Sequence, residues 1–153
     1  MQQGVQCGLH ALNNAVGRAW QTEEDMHFAV EEYLKRAIQE GSPELRSQHV
    51  AFGGWYSSEV LAQAVTSTSM NRMGRVEYCM SLVPLHVNPE RLRAERTVGA
   101  VMNIDNQHWV ALRYISGQHW YLDSQLGRPL KLSEKEYVKR VRKNRAAFCI
   151  ELA

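Results

Sequence analysis

The sequence predicts an α+β fold: a helical subdomain that includes a helical hairpin, packed against an antiparallel sheet. Three observations predict it. Apolar residues in the first half recur at three- and four-residue intervals between capping residues. After Gly74 the segments instead read as strands. A tight turn, Ile115-Ser116-Gly117-Gln118, then joins two of those strands as a hairpin. Helices first and a sheet afterwards is the α+β order.

The first helix runs from Cys7 to Val16, with Leu9, Leu12, Asn13 and Val16 on one spacing and Gly17 as its stop. Thr22, with Asp25 three residues on, caps a second helix that carries Met26, Phe28, Val30, Tyr33, Leu34 and Ile38 and ends at Glu40-Gly41. Ser42-Pro43 opens a short third segment to about Gln48, which would complete the hairpin. Gly53-Gly54-Trp55-Tyr56 reads as a turn, after which Ser57 or Ser58 caps a helix with Val60, Leu61, Ala64 and Val65. Strands are expected at Val76 to Leu82, Val98 to Met102, His108 to Ile115 and His119 to Leu122, with a short helix near Pro89 to Glu95. Ser133 caps a last helix through about Lys143, and Ala147 to Leu152 closes the chain as a strand.

Composition bounds the function. A chain of 153 residues with 44% hydrophobic and 22% charged residues suits a single globular domain spanning residues 1–153. A formal charge of +2 gives no reason to expect nucleic acid or a membrane surface as partner, and the basic stretch from Lys135 to Arg145 suits the solvated face of the last helix. No apolar run approaches the roughly 18 residues of a membrane span. Three cysteines, none at metal-ligand spacing, argue against a disulfide framework and for a reducing compartment such as the cytoplasm.

The chemistry lies in three segments. Cys7 opens the first helix, His108 opens a strand, and Asp123 ends the strand that follows. A thiol needs help to ionise, and a helix N-terminus and a neighbouring imidazolium both supply it. Asp123 can accept the second imidazole N–H and hold the ring in one tautomer, although an Asp before Ser124 also suits a turn. Strand pairing brings His108 and Asp123 to the same end of the sheet. Amide hydrolysis also needs donors for the tetrahedral oxyanion. The Cys7 backbone N–H is one candidate, and the side chains of Gln2, Gln3 and Gln6 compete for the other place. The reading is a thiol hydrolase.

These segments resemble the Josephin family of papain-like cysteine peptidases, which are deubiquitinating enzymes. The resemblance rests on Gln2-x-Gly4-x-x-Cys7, Cys7-x-x-His10-x-Leu12-Asn13-Asn14, Gly53-Gly54-Trp55-Tyr56, His108-Trp109-Val110-Ala111-Leu112-Arg113 and Trp120-Tyr121-Leu122-Asp123-Ser124. It implies Cys7 as nucleophile, His108 as general base and acid, Asp123 at the orienting position and Gln2 as the oxyanion glutamine. It further implies a papain-like Josephin fold, no cofactor or metal, ubiquitin or polyubiquitin as partner, and a hairpin from Trp20 to Gln48 beside the cleft. Met1 stands directly before Gln2, as in an excised domain of a larger protein. The rival readings are a papain-like protease acting on a polyprotein or a ubiquitin-like modifier, and a ubiquitin-binding module without catalysis.

Trp55, Tyr56 and Trp109 are the candidate substrate contacts, since aromatics lining a narrow groove suit the Gly-Gly end that the resemblance implies. His10 shares the first helix with Cys7 and is expected to pack or cap. His119, on the strand face of Asp123, is a weaker rival base, at the wrong end of its strand. Cys79 and Cys149 are expected as core thiols.

Overall fold

The computed structural model describes residues 7–51 and 55–153. Helix α1 spans Cys7–Val16, and Gly17 ends it at φ +81°. The reversal that follows is held by one side chain. Asn13 accepts from the backbone N–H groups of Trp20 and Gln21 and donates to the Gln21 carbonyl. Helix α2 spans Glu23–Gln39 and begins with a capping box, Thr22 and Asp25 bonding each other's backbone N–H. The segment opened by Ser42-Pro43 forms a single 3-10 turn, Arg46–Gln48, so the second limb of the hairpin is one turn long.

Strands β1 (Val50–Ala51) and β2 (Trp55–Tyr56) pair with each other, where the sequence suggested only a turn. Helix α3 (Ser58–Met73) starts from a Ser57 cap and stops at Gly74. Strands β3 (Tyr78–Met80), β4 (Thr97–Ile104), β5 (His108–Ile115), β6 (Gln118–Leu122), β7 (Leu130–Leu132) and β8 (Ala147–Leu152) form an antiparallel sheet of order β3-β8-β4-β5-β6-β7. Two 3-10 segments, Leu85–Val87 and Pro89–Arg93, precede β4, and α4 (Glu134–Lys143) lies between β7 and β8.

Alternation along the strands makes two cores. Val101, Trp109, Ala111, Phe148 and Ile150 face α1, α2 and α3. Ala100, Met102, Val110, Leu112 and Cys149 face α4 and the 3-10 segments, with Tyr137 and Val141 over them. Helices thus cover both faces. The same alternation corrects the reading of Cys79: in β3 its neighbours Tyr78 and Met80 point inward, which leaves Cys79 half-buried. Cys149 is fully buried as expected, and burial pushes its thiol up to about 12. Among the described residues no helix is long and apolar enough to cross a membrane.

Helix α1 lies against β4 and β5 and comes close to the β4 backbone. A side chain on Gly99 would overlap the Ala15 carbonyl oxygen, so glycine is required there for want of space rather than for its backbone angles. Gly99→Ala is expected to destabilise the protein by about 1–3 kcal/mol, the usual scale of overpacking. Denaturant unfolding with an unchanged slope checks this, and an unaltered midpoint would show that α1 and β4 separate freely.

Candidate active site

The β4–β5 turn aims the first functional side chain. Asp105 and Asn106 take φ values of 53° and 57°, a conformation that short polar side chains tolerate, and Ile104 pairs with His108 across the turn. On the other flank, β5 and β6 are joined at Ser116-Gly117, also at positive φ, in the tight hairpin that the sequence suggests. That register sets Leu122 opposite Ala111, so Asp123 emerges beside the start of β5.

His108 and Asp123 meet there: His108 Nε2 lies 2.8 Å from Asp123 Oδ1. Both side chains are largely buried, at 16% and 10% exposure. The same Oδ1 accepts from the Gln125 backbone N–H at 2.9 Å. Asp123 is therefore both a turn residue and a partner of His108, and its two sequence readings are compatible. With Nε2 engaged, His108 keeps Nδ1 as its second ring nitrogen.

Cys7 is the first residue of α1 and is 1% exposed. The backbone N–H groups of Trp109, the residue after His108, of Gly8 and of Cys7 itself favour its thiolate. The helix start thus supplies the N–H groups expected of it. Burial nevertheless prevails, pushing the Cys7 thiol above the ordinary thiol value against those N–H groups, and the Asp123 carboxylate adds to the rise. The sequence suggested a site poised toward thiolate; burial opposes that by disfavouring the charged form.

The expected substrate contacts divide. Trp55 and Tyr56 are both part-exposed. Trp109 is not available: it is 1% exposed, and its indole N–H donates to the Tyr56 carbonyl at 2.8 Å. Its position on the inward face of β5 makes it a core residue that ties β2 to the sheet, which corrects its reading as a substrate contact. Gln2, Gln3, Gln6, Gly53 and Gly54 lie outside the described residues.

His10 is part-exposed near Asp123 and makes no hydrogen bond among the described residues. His119 is far from this chemistry. It lies in the second core, 5% exposed and stacked on Tyr137 with centroids 4.3 Å apart, and burial lowers its pKa. Asn13 and Gln125 are the supporting residues that spacing alone missed. The paired asparagines after Leu12 and the Asp-Ser-Gln turn were their available signals. Among the described residues no group of three His, Cys, Asp or Glu side chains is placed to hold a metal ion.

Compared with known protein families, the chain matches Josephin over residues 2–147 of its 153. No curated protein matches it. The family match spans all of α1 to α4 and the His108–Asp123 pair. The chain belongs to the Josephin family, a family of papain-like cysteine proteases and deubiquitinases.

Proposed function

We propose that this protein is a thiol-dependent deubiquitinase that hydrolyses the isopeptide or peptide bond after the C-terminal glycine of ubiquitin. The observation that carries the reading is the 2.8 Å His108–Asp123 bond beside a helix-opening thiol, within a Josephin match. In this reading Cys7 is the nucleophile, His108 the base and acid, Asp123 the group that orients the ring, and Gln2 an oxyanion donor.

The raised thiol pKa shapes the mechanism. Burial disfavours a standing thiolate–imidazolium pair, and in this reading proton transfer accompanies attack. As Sγ bonds to the scissile carbonyl carbon, the thiol proton passes to His108. Asp123 then stabilises the imidazolium through Nε2–H. The oxyanion is held by the Cys7 backbone N–H and the Gln2 amide. Breakage of the C–N bond takes the proton from His108 to the departing amine. A water molecule, deprotonated by His108, then hydrolyses the thioester and returns the thiol. Trp55 and Tyr56 are the residues available to line the path of the acyl tail.

Hydrolysis of ubiquitin amidated with a small fluorogenic amine tests the assignments. Cys7→Ala is expected to abolish turnover, His108→Ala to be nearly as severe, and Asp123→Ala milder because packing partly keeps the ring in place. Gln2→Ala is expected to cost on the order of 10²–10³ in rate. Turnover by Cys7→Ala contradicts the nucleophile, and an unchanged rate for Gln2→Ala removes Gln2 from the site.

The thiol itself offers a separate check. Alkylation of Cys7 by iodoacetamide in the free protein, followed by peptide mass, is expected to rise with pH to a midpoint above that of an ordinary cysteine. The sign follows from the raised pKa: the reactive thiolate appears only as pH climbs past it. A midpoint near or below neutrality contradicts the coupled proton transfer.

A further inference from the structure

Two hollows of unlike character lie near the candidate site, one lined by the Trp109 that follows His108 and the other leading toward Asp123. On the β4 side of His108, a cleft of about 420 Å³ contains Trp55 and Asn103, with Glu44 and Glu59 as its carboxylates. On the β6 side, a groove of about 680 Å³ follows one face of α1, from Leu9 past Asn13 to Gly17. Its floor is apolar, built from Leu9, Ile115, Trp120 and Leu122. It exists because α1 packs over β4 and β5 and leaves β6 uncovered on that face. The groove runs into a smaller hollow of about 290 Å³, which shares His10, Asn14, Leu122 and Pro129 with it and ends at Asp123. Through that hollow it reaches Asp123, the partner of His108.

Its charge is one-sided. Arg18, Arg113 and Arg128 line the two hollows, and Lys131 lies over the Trp120 ring at 5.7 Å. Arg18 is partly matched by Glu77. Arg113 donates only its Nε–H, to the Val98 carbonyl, and Arg128 has no ion-pair partner among the described residues. The single carboxylate lining either hollow, Asp123, is occupied by His108 and Gln125. An apolar floor with cations spaced along it suits an extended peptide that alternates apolar and acidic side chains. Among the described residues, Trp120 is the one Trp, Tyr or Phe lining it, so a run of nucleic-acid bases has a single ring to stack on.

We propose that this groove receives the leaving-group side of the substrate, as an acidic and apolar segment of the protein from which the modifier is released. The assignment rests on the deubiquitinase reading. A scissile bond has two sides, and with the acyl tail against Trp55 and Tyr56, the side beyond Asp123 remains for the segment whose amine His108 protonates. Charge complementarity there gives selection among conjugated proteins.

The test is fluorescence anisotropy with folded Cys7→Ala protein. The probes are a fluorescein-labelled peptide of glutamate, leucine and serine, its counterpart with every glutamate replaced by lysine, and an oligothymidylate. The acidic peptide is expected to bind at least about tenfold more tightly than the lysine peptide, and Arg128→Glu or Ile115→Glu to weaken it by about tenfold each. Arg128 is exposed and unpaired, and Ile115 is 42% exposed, so both variants keep the fold. Equal binding of the two peptides, indifference to both variants, or tighter binding of the oligothymidylate overturns the proposal. Turnover of the ubiquitin amide by the parent separates the two claims. If the amide is cleaved and the acidic peptide does not bind, the groove proposal alone fails. If the acidic peptide binds and the amide is not cleaved, the catalytic reading fails and takes the leaving-group assignment with it.

Discussion

The close approach of α1 to β4, where Gly99 leaves room for nothing but backbone against Ala15, is the constraint on which the site depends. It seats the helix across β4 and β5 and draws Cys7, at the helix N-terminus, onto the first residues of β5. The thiol can then meet the Trp109 backbone N–H, one residue from His108. A helix riding higher over the sheet would leave the same three side chains present and apart. Interiors packed to the density of crystals transmit such small displacements.

Around that contact the two hairpins do the aiming. The positive-φ pair Asp105-Asn106 fixes where β5 begins, and Ser116-Gly117 fixes its register against β6. Asp123 is locked further by its bond from the Gln125 N–H, so the carboxylate is oriented before any proton moves. Trp109 closes the assembly from below, tying Tyr56 to β5. The site is therefore rigid where rings and carboxylate must be aligned. The same burial that gives this rigidity raises the thiol pKa, and the helix N–H groups only partly offset it.

Much of this was legible in the sequence wherever the physics is local. Cys7–Val16, His108–Ile115 and Ala147–Leu152 have the bounds that spacing gave them. Thr22, Ser57 and Ser133 cap as expected, because a cap needs only its own three following residues. The two-residue strands β1 and β2 and the three-residue β7 were not legible, since so few residues carry no period and are strands only through their partners. Alternation gave Trp109 a face but not what covered it, and the burial that removes it from substrate contact comes from α1 and β2. The same gap concealed the raised Cys7 pKa. A helix start is visible in sequence, whereas the desolvation that outweighs it comes from segments far along the chain.

The most direct test of the account is the intact mass of the protein after mixing with ubiquitin that carries a thiol-reactive electrophile at its C-terminus, with Cys7→Ala as control. One ubiquitin is expected on the parent and none on the control. An unmodified parent that is folded, or an adduct that survives Cys7→Ala, would contradict it.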